Sequence, residues 1–390
     1  MTAASLQGVG QPGGRAAGSL KAWQSQLTGY LYILPASILI FCFGLFPVGY
    51  ALYMSTRRWR VVDRGYVGVE NYLKAIGDPW SALLFAGGFL GLIGAWYLWT
   101  RPGSNRNPGY RVARIASLVV VAASLWLIPT GWAGMLSAGD DRFLNAIPIT
   151  FYFAFGSIPV QLLVALCLAY ILFQKIRGQE FFRMIFFLPY ITPVIATALI
   201  FRNIFSPREL SIANRGMQAI GLPAQEWLFE SERLLNLLFG TELGGFLAGP
   251  SLALVSIVFF GIWTYVGYNT VIFLAGLGSI DPTLYEAAEI DGASHIQQMR
   301  WITFPLLSPV TFYLSVIGFI GTFKAFNHIF VMMEPSALGT VTTVSINIFN
   351  TFNKANQFGY ASAQAVLLLV VILYMTFVQS KVLGERVFYG

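Results

Sequence analysis

Along the chain, long apolar runs alternate with short polar connectors. A helix needs about 20 mostly apolar residues to cross the hydrocarbon of a bilayer. Eight stretches reach that length: residues 30–55, 80–99, 113–136, 145–173, 184–205, 251–279, 306–333 and 359–380. The pattern predicts an all-α polytopic membrane protein with about eight transmembrane helices. An even number puts both termini on one side. Prolines fall within several runs (Pro35, Pro47, Pro159, Pro189, Pro193, Pro309), and the pair in FFLPYITP opens a span directly after a polar loop. A broken ladder in lipid requires neighbouring helices or a wet cavity to satisfy the freed carbonyls.

One connector departs from this rhythm. Residues 284–307, LYEAAEIDGASHIQQMRWITFPLL, carry three acids, a histidine, an arginine and two glutamines. Asp281 before Pro282 is a good helix start, because the carboxylate accepts orphan amide hydrogens and the proline has no donor to waste. A helix is expected from Pro282 to about Asp291, stopped by Gly292. Ser294 and Gln297 form a capping box for a second short helix, expected to end before Pro305. Leu284, Ala287, Ile290, Ala293, Ile296 and Met299 recur every third residue, a stripe that would drift around one continuous helix. Two helices with a bend keep each apolar face coherent. Glu286, Glu289 and Asp291 then face solvent, on either a solvated amphipathic connector or a docking surface.

Composition narrows the class. The 390 residues are 56% hydrophobic and only 11% charged, which excludes an ordinary soluble domain. A net charge of +7 points to nucleic acid in a soluble protein. Here the Lys and Arg sit at the ends of apolar runs, as interfacial anchors and topology signals. Cys42 and Cys167 fall inside apolar runs, so neither a disulfide framework nor a Cys metal site is expected. The Gly- and Ala-rich opening reads as a flexible tail over residues 1–28, followed by an uncleaved first span. The turn RPGSNRNPGYRVAR holds Arg101, Arg106, Arg111 and Arg114 with no acid, which argues for the cytoplasm. That placement puts both termini and the 174–183 loop (Lys175, Arg177, Arg183) in the cytoplasm; Arg57, Arg58, Arg60 and Arg64 then lie outside, against the rule.

Glu286, Ala287 and Ala288, then Gly292, Ile302 and Pro305, reproduce the EAA signature of binding-protein-dependent ABC importer permeases, with Phe304 in place of the usual Leu. The pieces YILPA, VGVENY, IRGQEFFRMIFFLPYITPVIA, LYEAAEIDGAS and FGYASAQAV also resemble the carbohydrate-type permeases, in order along the chain. The resemblance covers most of the chain except residues 79–142. It implies an ABC importer (type I) permease fold, and a coupling helix at about 281–305 that docks on a cytoplasmic ATPase subunit. The docking residues it implies are Glu286, Ala287, Ala288, Glu289, Asp291, Gly292, Ile302 and Pro305.

The commonest family form has six spans, so the chain divides into a tail (1–28), a first span and outer loop (29–78), an extra transmembrane hairpin (79–142) and the core permease domain (143–390). The aromatics WYLW and WLIPTGW of the hairpin suit interfacial belts. It is either a lipid-facing addition or a partner contact.

Sugar recognition combines aromatic faces with hydrogen-bonding groups. The segments that line the translocation cavity in the resembling maltose importer hold Tyr190, Thr192, Trp263, Tyr265, Tyr268, Asn269, Thr322, Lys324, Phe326 and Asn327 here. Lys324 within a span is either a substrate contact or a snorkelling anchor. The outer loop over 207–250, with GLPAQEWLFESERLLNLLFG, is either a contact for a binding protein or a surface-lying helix. No GxxxxGK[ST] loop and no catalytic or metal-ligand constellation occurs, and His295 and His328 lie in separate elements. The expected function is a non-enzymatic permease subunit for a di- or oligosaccharide or related polyol, without a cofactor of its own. Implied partners are a second, different permease, two copies of an ATPase that bind ATP and Mg, and an external substrate-binding protein. The alternative is an ion-driven secondary carrier for a small solute.

Overall fold

Breaks in the helical ladder organise the chain, and they fall where proline, glycine or a capping side chain interrupts it. The structure is a computed structural model that describes residues 14–100, 108–174, 177–240, 249–384 and 387. Helix α1 (Gly14–Ile40) continues through a π-helical turn, Phe41–Leu45, into α2 (Phe46–Ser55), with Pro47 just past the turn. This start corrects the expected tail. Residues 1–13 lie outside the described residues, but 14–28 are helical, because AAGSLKAWQSQL supplies good helix formers through which the apolar helix extends backward.

After α2 come an antiparallel hairpin of β1 (Arg57–Trp59) and β2 (Asp63–Tyr66) and the short α3 (Glu70–Ile76). Asn71 donates to the carbonyls of Ser55 and Arg57 at 2.8 and 2.9 Å, pinning VGVENY to the end of α2. The hairpin expected over 79–142 is α4 (Pro79–Thr100) with α5 (Pro108–Ala138). Glycines bring these two helices to backbone contact: a Cβ on Gly131 would lie 2.5 Å from the Phe85 nitrogen. Arg101 and Arg106 of the connecting turn lie outside the described residues, as does Lys175.

Asp140 caps α6 (Asp141–Phe173), accepting from the Arg142 amide at 3.0 Å and from the Tyr360 hydroxyl at 2.6 Å. The expected single span over 184–205 is instead two helices, α7 (Gln179–Ile191) and α8 (Val194–Ile204), at 95° to each other. The reason is Pro193, which forces Thr192 into the extended region (φ −67°, ψ 146°). Two short helices, α9 (Ile212–Ala219) and α10 (Leu234–Phe239), lie in the loop before α11 (Leu252–Gly278). Gly267 of α11 lets the backbone of α7 cross so closely that a Cβ there would collide with the Phe186 carbonyl.

The insert is α12 (Pro282–Ile290) and α13 (His295–Gln298), and α13 runs on through a π-turn, Met299–Thr303, into α14 (Phe304–Leu306). The helix therefore does not stop before Pro305. That proline sits at the start of α14, where the π-turn accommodates its missing donor. A 59° bend at Leu307 leads into α15 (Ser308–Phe323). The expected span to residue 333 thus ends ten residues early, because Lys324 and Phe326 leave helical geometry. Short helices α16 (Asn327–Met332), α17 (Leu338–Val341) and α18 (Val344–Phe349) follow, then the long α19 (Phe358–Val382). Among the described residues, six helices are long and apolar enough to span a membrane, or eight with the two bent pairs.

Replacing Gly267 with alanine pushes α7 off α11. The expected cost is about 1–3 kcal/mol, read as a lower unfolding midpoint of the detergent-extracted protein. An unchanged midpoint contradicts the close crossing.

Candidate functional site

Four parts of the fold converge on a cavity of about 580 Å³. Helix α6 contributes Phe153, Ser157 and Gln161, which lie one above another at a four-residue spacing. The break between α7 and α8 contributes Tyr190 and Thr192, α11 contributes Tyr265, Tyr268 and Asn269, and the end of α15 with α16 contributes Thr322, Lys324, Phe326, Asn327 and His328. Nine of the ten residues singled out from sequence therefore line one cavity. Trp263 does not. It is two positions from Tyr265, on another face of α11, and packs on Phe201 and Phe260 at ring distances of 4.9 and 6.3 Å.

The wall has two characters. Tyr190 stacks on Tyr268 at 4.7 Å and meets Tyr265 edge-on at 5.9 Å, forming an aromatic platform beside the helix break. The hydroxyls of Thr192 and Thr322 donate to the carbonyls of Pro189 and Gly318, at 2.7 Å each, and so keep only acceptor capacity. Opposite in character are Ser157, Gln161 and His328, all buried, whose Oγ, Oε1 and Nε2 atoms have no hydrogen-bond partner. Leaving such atoms unpaired costs free energy that a ligand hydroxyl or water in the cavity recovers. These three escaped the sequence reading. The signal was there for two of them, a hydroxyl and an amide one helical turn apart within an apolar run.

An ion pair with one buried partner fixes the neighbouring frame. Arg202 near the end of α8 reaches Glu334, just after α16, at 2.5 Å, and the Glu334 side chain is only 5% exposed. The expected span ends at residue 333, one short of Glu334, which the structure buries.

At one end of the bundle lies the insert. Asp281 accepts from the Thr283 amide at 2.9 Å, a bond that holds its carboxyl below the usual carboxylate range. Gly292 has φ 76°, and the Ala293 amide donates back to the Ala288 carbonyl at 2.9 Å. The Ser294 amide donates to Gln297 Oε1 at 2.7 Å, completing the box. Tyr285 and Ile302 turn inward onto a cluster with Leu277 and Leu307, and Tyr285 hydrogen-bonds Thr303 at 2.9 Å. Ala288 and Pro305 are half-buried; Glu286, Ala287, Glu289, Asp291 and Gly292 face outward. So do Ile290 and Ile296, 87% and 78% exposed, which makes the outer face acidic and apolar together.

A bundle of spanning helices with two broken spans, a polar and aromatic cavity at the breaks and a rigid helical insert at one end defines a membrane transport subunit. Residues 161–389 match the family described as binding-protein-dependent transport system inner membrane component, and the chain belongs to that family. It is a multi-pass inner-membrane permease of an ABC importer that works with a binding protein, and separate ATPase subunits bind the ATP.

Among relatives, the arabinooligosaccharides transport system permease protein AraP of Bacillus subtilis is 32% identical over 257 residues, 65% of this chain and 76% of its own. The lactose transport system permease protein LacF of Rhizobium radiobacter is 29% identical, over 63% of this chain and 78% of its own. A probable ABC transporter permease protein of Pyrococcus horikoshii is 28% identical over 91% of this chain and 96% of its own. The 9% left out is shorter than the hairpin segment 79–142, so that match runs into the hairpin. Among solved structures, a chain of a bacterial ABC transporter involved in the import of the acidic polysaccharide alginate superposes with a TM-score of 0.61 at 18% identity, covering 93% of this chain and 98% of its own.

Substituting Arg202 by glutamine strands the buried Glu334 carboxylate. The expected loss is roughly 3 kcal/mol, the low end for a buried pair because Arg202 is partly open. The double variant Arg202→Gln, Glu334→Gln should recover most of it in the same thermal melt. Equal melts for the single variant and the parent refute the pairing.

Proposed function

We propose that this permease carries a sugar, a di- or oligosaccharide or related polyol, through the cavity between α6, the α7–α8 break, α11 and the α15–α16 turn. The observation that carries this reading is the pairing of an aromatic platform with unpaired buried polar atoms in one wall. Sugars present both apolar ring faces and many hydroxyls. A volume of about 580 Å³ falls within the range of small-molecule sites. The names of the relatives, arabino-oligosaccharide and lactose permeases, support the same class. Tyr190 and Tyr268 stack on the sugar, Ser157, Gln161, Asn269, Asn327 and His328 bond its hydroxyls, and Lys324 donates to a hydroxyl or an anionic group.

On the same proposal, α12 is the coupling helix. Glu286, Ala287, Glu289, Asp291 and the exposed Ile290 meet an ATPase subunit, the Gly292 bend sets the angle of docking, and Ala288, Ile302 and Pro305 anchor the insert to the bundle. The finer assembly is one copy of this chain, a second and different permease, two ATPase subunits and an external binding protein. Both termini and the insert lie in the cytoplasm. Residues 79–142 are an addition to a core of 143–390. ATP-driven closure of the ATPase pair draws the two inserts together and turns the cavity outward.

Two outcomes are expected in proteoliposomes with the whole importer. Gly292→Pro or Glu286→Lys leaves the protein in the membrane but cuts uptake per ATP hydrolysed by about tenfold or more, as befits loss of about 1.4 kcal/mol of coupling. Uptake unchanged in both variants contradicts the docking role. Lys324→Met and Tyr268→Ala, the second removing about 0.5–1.5 kcal/mol of ring contact, raise the sugar concentration for half-maximal uptake while basal ATP hydrolysis persists. Kinetics indistinguishable from the parent remove these residues from the path.

A further inference from the structure

The hairpin added to the core ends in a cluster that the transport path does not use. At one end of the hairpin, α4 closes with Trp96, Tyr97 and Trp99, and α5 opens with Tyr110, Arg111 and Arg114. The Arg114 guanidinium is held between two rings, 4.7 Å from the Trp99 centroid and 4.8 Å from that of Tyr110. Its Nε is buried without a hydrogen-bond partner, and no carboxylate pairs with it among the described residues. Arg111, one turn earlier, is exposed.

The local electrostatics call for an anion. The first turn of α5 holds no acid, and a helix N-terminus adds partial positive charge of its own to that of the two arginines. The like charges of Arg111 and Arg114 add to the positive field of that terminus, so this end of the hairpin attracts an anion. The location says where the counter-charge comes from. Trp99, Trp96 and Tyr97 are exposed at the end of a membrane-length helix, the level at which amphipathic rings meet phospholipid headgroups.

We propose that Arg111 and Arg114, with Trp99 and Tyr110 as the holding rings, bind the phosphate-bearing headgroup of an anionic phospholipid. The rings fix the guanidinium plane, leaving its outward N–H edge for bidentate contact with phosphate oxygens. Basic clusters of this kind at the ends of spanning helices strengthen binding of anionic lipid about fivefold per residue. The site anchors the hairpin to the leaflet and gives the extra pair of spans a task apart from the sugar path.

The test is native mass spectrometry of the assembled importer released from nanodiscs of phosphatidylcholine doped with phosphatidylglycerol. The parent should retain phosphatidylglycerol in preference. Arg114→Gln should weaken that retention about fivefold and the double Arg111→Gln, Arg114→Gln variant about 30-fold, with phosphatidylcholine retention unchanged and Arg114→Lys, which keeps the charge but not the planar fork, restoring only part of the preference. Should the double variant fail to assemble, Trp99→Leu, which leaves both charges in place, is expected to weaken retention about threefold through the lost ring contact. Equal phosphatidylglycerol retention by parent and variants overturns the proposal. So does a parallel loss of phosphatidylcholine, which marks a damaged hairpin, or displacement of the lipid by inorganic phosphate, which assigns the site to a soluble anion.

Discussion

In a bilayer core every backbone donor and acceptor must find its partner within the protein, and the polar cavity of this chain follows from how it meets that demand at its breaks. At Thr192 the ladder is interrupted, and the Thr192 hydroxyl takes the Pro189 carbonyl while Thr197 takes that of Pro193 at 3.0 Å. At the end of α15, the Phe323 carbonyl is satisfied by the Ser345 hydroxyl at 3.0 Å, and the Val344 amide by Thr150 at 2.9 Å. Each break thus spends a hydroxyl from nearby or from a distant segment. What remains unspent, on α6 and α16, faces the cavity. The site is polar because the breaks are there, and the breaks are tolerated because the site is polar.

Span number and the shape of the insert were legible in the sequence because both rest on local rules. Apolar run length predicts a crossing, and Asp281-Pro282, Gly292 and Ser294 with Gln297 are start and stop signals that need no tertiary partner. All three appear as read. The span ends were less legible. Residues 324–333 mix Lys324, Asn327 and His328 with enough apolar residues to pass for the end of a span, and the turn at Lys324 and Phe326, with α16 packed against α8, shows that they turn back. Likewise, proline marks a weak point without saying what happens there: Pro159 lies inside the continuous α6, Pro193 bends the chain through 95°, and Pro305 is absorbed by a π-turn.

The candidate site was legible as segments and only partly as residues. Tyr265, Tyr268 and Asn269 share a face with Gly261 and Thr264, and counting turns along α11 would have excluded Trp263. No such count finds His328, whose burial comes from Phe260 and Phe153 on two other helices, at ring distances of 5.3 and 5.7 Å. Pieces that look like separate landmarks in sequence meet in space. Gly359 of FGYASAQAV lies against the Arg57 carbonyl, and Lys74 sits 4.1 Å over the Tyr360 ring, so the VGVENY segment and the head of α19 form one junction with Asp140. One-dimensional reading has no means to see that contact.

That organisation also constrains how motion at the insert can reach the cavity. Helix α12 leaves α11 after only Ser279, Ile280 and Asp281, and Ile280 is buried in the cluster that holds Leu277 and Leu307. On its other side the chain stays helical from His295 to Leu306, with Tyr285 bonded to Thr303 across the two arms. The insert is therefore a braced hook rather than a flexible loop. A force on α12 passes to α11 through a three-residue link and to α15 through the bend at Leu307. Those two helices carry the Tyr265, Tyr268 and Asn269 face and the Thr322 and Lys324 edge of the cavity, so a pull at the insert changes the separation of those two walls.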